Sequence, residues 1–242
     1  MSEKKQGICS IKKLFSKDNF YTDTELNIPE YQRPYKWTIK NVTRLLEDIK
    51  RECQKDVSAY RLGTIVFHKD NKILDIVDGQ QRTITLLLIL KALIANKQGS
   101  EGNELSTLVA NFQPTFTQDI SKKNIYENYH YLKQATKNFS PREIEFLLNR
   151  CELVYFILDD LSEAFQFFDS QNSRGKDLEP HDLLKAYHLR EFTQDELPEQ
   201  AKIIDDWEAA DENDDSGENK LSLLFSDVLF RIKNWSMLRS AR

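Results

Sequence analysis

Apolar and polar residues follow two different periods along the first hundred residues. Short β-branched runs with extended spacing predict three strands, at residues 24–28, 61–68 and 72–77. The polar stretch between the last two runs predicts a hairpin turn. Apolar residues at helical spacing behind Thr38 predict an amphipathic helix that ends near Cys53. The segment 82–95 is apolar nearly all round, which predicts a central helix packed on several sides.

The pattern becomes mainly helical after residue 98. Two glycines in residues 98–103 predict a loop, and we place the domain boundary there. Ser140 and Glu143 form a capping box with a proline at the first helical position. One further strand is predicted at 152–158. We therefore expect an α+β fold: a small mixed sheet with packed helices over residues 1–98, then a mainly helical region over 99–242.

The last predicted helix, residues 221–235, has a strongly apolar face close to the end of the sequence. An apolar face of this kind is normally buried against another part of the chain or against another protein. We expect self-association into a homo-oligomer, or docking of a partner or of a further domain that follows this sequence.

Composition narrows the function classes. The 242 residues are 40% hydrophobic and 30% charged, and the longest apolar run is too short to span a bilayer, so we expect no membrane partner. No secretory signal follows the N-terminus, which predicts a cytoplasmic protein. Three widely spaced cysteines predict reduced thiols. The net charge of −5 argues against indiscriminate nucleic-acid binding, although residues 205–219 carry much of the acidity.

The segment 78–82 reads Asp-Gly-Gln-Gln-Arg and lies between a predicted strand and the central helix. A strand that turns on Gly79 and enters a helix brings backbone N–H groups and the positive helix end to one point. Four polar side chains in a buried core would each need a partner. The segment therefore predicts an anion pocket, although Arg82 could instead simply pair with Asp78.

Two other polar clusters lie at predicted element junctions. Residues 29–37 interleave aromatic side chains with Gln32 and the basic groups Arg33 and Lys36, and Arg33 could clamp a phosphate. Residues 172–176 contain Asn172 and Gly175. The alternatives stay open here: the aromatic residues could be ordinary core, and the second cluster could be an ordinary turn.

Together, three motifs resemble one family. Tyr31-Gln-Arg-Pro-Tyr-Lys-Trp37, Val77-Asp-Gly-Gln-Gln-Arg-Thr83 and the Asn172-Ser-Arg-Gly175 segment with Asp182-Leu-Leu-Lys185 resemble the N-terminal domain of GmrSD-type restriction endonucleases. That domain belongs to the ParB/sulfiredoxin-like group. The resemblance implies a small mixed sheet with helices, a role in defence against phage, and an HNH-type nuclease domain, C-terminal or separate, that cuts DNA.

The same resemblance implies a binding site for a nucleoside triphosphate, GTP or another, with Mg²⁺. Its catalytic residues would be Asp78, Gln80 and Arg82. The residues implied to bind the nucleotide are Gln32, Arg33, Tyr35, Trp37, Gly79, Gln81, Thr83, Asn172, Gly175 and Lys185. No metal ligand set is predicted, since one carboxylate at Asp78 is a thin basis for one.

Three functions follow as hypotheses. The first is a nucleoside triphosphatase that regulates a DNA-cleaving partner in a restriction system. The second is a switch module that binds nucleotide, or senses modified DNA, without turnover. The third, weakened by the absence of a metal-ligand pattern in the sequence, is that the domain is itself a ParB-like nuclease.

Overall fold

A computed structural model describes residues 5–16, 24–29, 32–97 and 100–160, together with 164, 206, 207, 210, 224–229 and 231. Contacts between residues divide the chain into two compact units. The first comprises Met1–Pro29 and Pro34–Phe168, and the second comprises Glu30–Arg33 and Asp169–Arg242. The sheet and the helices around it belong to the first unit.

Five strands form one mixed sheet in the order β1-β5-β3-β4-β2. The strands are β1 Gln6–Ser10, β2 Glu25–Asn27, β3 Tyr60–Asp70, β4 Ile73–Asp78 and β5 Cys151–Leu158. β3 pairs antiparallel with β4 and parallel with β5, while β1 is antiparallel to β5 and β2 is parallel to β4. The predicted strands and the hairpin are confirmed.

Six α-helices accompany this sheet in the described part of the chain. They are α1 Ile11–Phe15, α2 Ile39–Gln54, α3 Gln80–Asn96, α4 Ser100–Val109, α5 Asp119–Ala135 and α6 Pro141–Glu145. The helix predicted behind Thr38 is α2, with Thr38 as its N-cap, and the capping box predicted at Ser140 starts α6. A π-helical turn, Phe146–Arg150, leads from α6 into β5. The α+β prediction is therefore confirmed.

α3 is the centre of the core. Twelve of its residues are buried, including Leu86, Ile89 and Leu90, which have no exposed surface. α4 and α5 pack against it. Burial on nearly all sides follows from the nearly uniform apolar composition of the helix, as the sequence predicts. The helix begins two residues before the predicted start, so both glutamines of the Asp78–Arg82 segment are helical.

The loop predicted at residues 98–103 is wrong from Ser100 onward, while residues 98 and 99 lie outside the described residues. α4 begins at Ser100, and Gly102 and Asn103 lie inside it. A Cβ added to Gly102 would lie 2.7 Å from the carbonyl oxygen of Lys97. The glycine therefore permits α4 to approach the end of α3 closely, so it has a packing role there. The domain boundary placed at this point stays a prediction.

In the second unit, residues Leu224–Leu229 form a short π-helical segment in which Leu224, Val228 and Leu229 are exposed. They belong to the apolar face predicted for the last helix, and the self-association expected from that face stays a prediction. No helix within the described ranges is both long and apolar enough to cross a membrane.

All three cysteines are free, as predicted, and the structure buries each of them. Burial raises the pKa of Cys9 and that of Cys151 to about 12, from an ordinary value of 9.0. Above pH 9 the unfolded chain loses thiol protons that the folded protein keeps. The free energy of unfolding should therefore fall as pH rises from 9 towards 12, by up to about 1.4 kcal/mol per pH unit for each thiol.

Urea unfolding at pH 8, 9 and 10 measures this dependence. Changing Cys9 and Cys151 to Ala should reduce the slope between pH 9 and 10, where tyrosine ionisation contributes less than at higher pH. A slope that persists unchanged in the double variant would contradict the assignment to these thiols.

Candidate functional site

The chain reverses sharply on Gly79 between β4 and α3. Gly79 has φ +90°, in the left-handed region, and is the N-cap of α3. A Cβ at this position would lie 3.1 Å from the carbonyl oxygen of Thr64 in β3. A side chain would therefore strain the backbone and press on the neighbouring strand. The turn from strand into helix predicted at Gly79 is confirmed.

The first turn of α3 carries no capping side chain. Gly79 has none to offer, and no acidic residue lies in that turn. Thr83 donates its backbone N–H and its hydroxyl to the Gly79 carbonyl, at 2.9 and 3.0 Å, and these bonds leave the first-turn N–H groups without a side-chain cap. The N–H groups at the start of a long helix carry its positive dipole end. This turn can therefore accept an anion such as a phosphate.

Gln80 is the first residue of α3 and is only 6% exposed. Its Oε1 is buried and has no hydrogen-bond partner among the described residues. A buried amide oxygen without a partner costs about 1–3 kcal/mol. Such a group at a helix start is suited to a ligand or a ligand-bound water.

Arg82 lies in the first turn of the helix, and its guanidinium rests against Gly63 of β3. Its Nη1 donates to the Thr64 carbonyl oxygen at 3.1 Å. Burial lowers the pKa of Arg82, while the negative charges of Asp78 and, when ionised, Tyr60 act in the opposite direction. The guanidinium stays protonated near neutral pH. No ion pair to it is found within the described ranges, so this partly buried cation is electrostatically suited to bind an anion.

Gln81 has a different task. Its Oε1 accepts from the backbone N–H groups of Lys36 and Trp37, at 2.9 and 3.1 Å, and its Nε2 donates to the Pro34 carbonyl at 2.9 Å. The side chain is 8% exposed. Three backbone contacts occupy its amide, so Gln81 fixes the segment 34–37 to the start of α3.

A buried polar stripe on α5 holds the same segment from the other side. The Ser121 hydroxyl accepts from the Tyr35 N–H, and Asn124 donates to the Tyr35 carbonyl, both at 2.9 Å. Asn128 donates to the Trp37 carbonyl at 2.7 Å and to the Tyr35 hydroxyl at 3.0 Å. These residues, three and four positions apart, face one side of the helix. Segment 34–37 is thus bonded to both α3 and α5.

Tyr35 is fully buried, and its hydroxyl lies 2.7 Å from the Thr85 hydroxyl. Replacing it by Phe removes this contact and the one with Asn128 while keeping the ring. We expect Tyr35→Phe to lower the free energy of unfolding by about 1 kcal/mol. Chemical denaturation measures the change. Tyr126→Phe on α5, where the ring is 65% exposed, is the matched control and should be neutral; equal effects would contradict the account.

The comparison with protein families gives one result. The model of the GmrSD restriction endonuclease N-terminal domain matches residues 11–189. The chain belongs to this family. The match covers more than half of the 242 residues and includes every motif quoted for the resemblance, which is therefore confirmed. No individually curated protein matches the chain.

Membership of the GmrSD N-terminal domain family supports a role in a restriction system of the kind that defends against phage. It also suggests DNA as the substrate of that system and a nuclease domain as the partner of this one.

The structure of this GmrSD N-terminal domain brings together part of the predicted site. Gly79, Gln80 and Arg82 meet at the start of α3, directly after Asp78, which ends β4 and is partly buried. Gln81, Thr83 and Tyr35 are engaged in internal hydrogen bonds, and Trp37 packs partly buried against the core. For Tyr35 the core interpretation is therefore the better supported one.

The remaining predicted residues belong to the second unit. Gln32 is partly buried and Arg33 is exposed, and both belong to the second unit. Asn172, Gly175 and Lys185 lie outside the described residues. Where the structure is described, no group of three histidine, cysteine or acidic side chains is arranged to hold a metal ion.

Sequence reasoning missed several residues that shape the site: Gly63, Thr64, Ser121, Asn124 and Asn128. A signal existed for the last three, since a polar stripe at helical spacing on a helix that must pack on the core requires buried partners. The role of Thr64 has no such signal, because it acts through its backbone carbonyl.

Proposed function

We propose that this domain binds a nucleoside triphosphate, with its Mg²⁺, at the start of α3 and hydrolyses it to control DNA cleavage by an HNH-type nuclease domain or partner. The observation that carries the proposal is the conjunction of an uncapped helix start, a buried amide oxygen without a described partner on Gln80, and a partly buried cation on Arg82. Each of these groups suits a phosphate or its bound water.

Roles follow from this geometry. The N–H groups of the first turn would bind phosphate oxygens, and Arg82 would neutralise charge that develops on the transferred phosphoryl group. Gln80, or Asp78, would orient the attacking water. Mg²⁺ in such sites is held mainly by substrate phosphates with one or two carboxylates, and Asp78 is the carboxylate that fits.

Phosphate release from ATP, GTP, CTP and UTP with Mg²⁺, with and without DNA, tests the proposal. We expect turnover of at least one nucleotide. Turnover of none, by folded protein, would contradict hydrolysis and would leave the second candidate, a binding switch without turnover.

One observation favours that second candidate. The Gln81 amide is already hydrogen-bonded to segment 34–37 through both its oxygen and its nitrogen, so Gln81 is not available to orient a water molecule. A nucleotide complex that stays intact for hours would decide for the switch, and modified DNA is then the second ligand to test.

Metal-dependent nicking of DNA by the chain alone would instead support a nuclease. We also propose that the protein is cytoplasmic, as the sequence predicts.

A further inference from the structure

Two β-bulges lie beside the start of α3. In the pairing of β3 with β5 the register shifts between Arg61 and Gly63, and in the pairing of β3 with β4 it shifts between Val66 and Phe67. Bulges bend a strand locally and redirect its groups, and they are frequent beside functional sites. Here the first bulge turns Gly63 towards α3.

Gly63 has φ +131°, a backbone conformation that residues with a side chain rarely adopt. A Cβ built on it would lie 2.9 Å from Cζ and from Nη1 of Arg82, and 3.0 Å from Nη2. The two distances of 2.9 Å are shorter than real Cβ contacts, and the third is tighter than most of them. The Arg82 guanidinium therefore occupies the space that any other residue at position 63 would fill.

The same strand also gives the guanidinium its hydrogen bond. The Thr64 carbonyl accepts from Nη1 and also lies against Gly79, where an added Cβ would be 3.1 Å away. One peptide thus contacts both the glycine turn and the arginine. Of the five guanidinium N–H donors, this bond uses one, and the described residues show no other.

We infer that Gly63 is a positioning residue for Arg82: the bulge and the missing side chain hold the guanidinium against β3 at the start of α3. For the role in triphosphate hydrolysis this rests on the proposed function, whereas the contact itself does not. A methyl group at position 63 would move the guanidinium away from the Thr64 carbonyl. Because the arginine side chain is long and flexible, it can move without unfolding the core.

The first test needs no nucleotide. The ¹H–¹⁵Nε NMR signal of Arg82 is assigned by its loss in Arg82→Ala and is then followed in Gly63→Ala. We expect this signal to shift or broaden while the other arginine signals stay in place. An unchanged Arg82 signal would overturn the inference.

The second test is a double-variant cycle on hydrolysis of GTP and ATP with Mg²⁺. Gly63→Ala should reduce turnover at least about 10-fold, and Gly63→Ala combined with Arg82→Ala should be no slower than Arg82→Ala alone. A further loss in the combined variant would show that Gly63 acts independently of Arg82, which overturns the inference. A shifted Arg82 signal with no turnover in the wild type would reject the proposed function and keep the positioning role, whereas unchanged turnover in all variants would remove Arg82 from the mechanism.

Gly63→Ala also strains the backbone, because residue 63 has a positive φ. The variant that combines Gly63→Ala with Arg82→Ala has the same strain but lacks the contact with the guanidinium. If Gly63→Ala fails to fold while the combined variant folds, the contact with Arg82 is the cause and the inference stands. If both fail, strain alone explains the glycine and the inference is wrong.

Discussion

Arg82→Ala should reduce nucleoside triphosphate hydrolysis at least about 100-fold while leaving the protein folded. Removal of one preorganised group that stabilises developing charge costs about this much in other enzymes, and arginines that stabilise phosphoryl transfer often contribute more. Stability should change little, because the guanidinium is a partly desolvated cation with one described hydrogen bond, to the Thr64 carbonyl.

Arg82→Lys is the matched variant for this measurement. It keeps the positive charge but loses the planar fork of N–H donors, so we expect activity between wild type and Arg82→Ala. Arg44→Ala, at an exposed position on α2, is the control for a general effect of removing an arginine. Full activity in Arg82→Ala would remove Arg82 from the mechanism.

Gln81→Ala should be the most damaging single change to the segment that contains Tyr35 and Trp37. It leaves the N–H groups of Lys36 and Trp37 and the carbonyl of Pro34 without their partner, and it opens a small cavity. Each buried group left unpaired costs about 1–3 kcal/mol, although water will reach some of them. We expect a loss of about 3 kcal/mol in the free energy of unfolding, measured in urea.

Gln81→Glu separates the two bonds that Gln81 accepts from the one that it donates. The carboxylate keeps an acceptor for the two N–H groups but replaces the donor that faces the Pro34 carbonyl. We therefore expect Gln81→Glu to keep more hydrogen-exchange protection at the Lys36 and Trp37 amides than Ala does, while its buried charge beside the Pro34 carbonyl still lowers stability. Hydrogen exchange at the Lys36 and Trp37 amides reports on the same contact, and protection that survives in Gln81→Ala would contradict the role assigned to Gln81.

Much of the fold could be predicted because its signals are local. The β-branched runs that become β3 and β4 and the uniformly apolar α3 each determine one element without reference to the rest of the chain. The loop predicted around Gly102 is wrong for a tertiary reason. Glycine lowers helix propensity, but here it lets α4 approach the Lys97 carbonyl, a contact that exists only in the folded protein.

Some residues of the candidate site could likewise be predicted from local signals, and others could not. Gly79 could be predicted because a strand that turns directly into a helix needs a residue with positive φ. Gln81 could not be separated from Gln80 by sequence, since the two are adjacent and chemically identical. The helical rotation places one against the backbone of residues 34–37 and leaves the Oε1 of the other without a described partner.

The central claim is that the start of α3 binds the phosphates of a nucleoside triphosphate. A crystal structure of the protein with Mg²⁺ and a non-hydrolysable triphosphate analogue tests it most directly. We expect phosphate oxygens within hydrogen-bond distance of the first-turn N–H groups of α3 and of the Arg82 guanidinium. Phosphates bound elsewhere on the protein, with this turn unchanged, would contradict it.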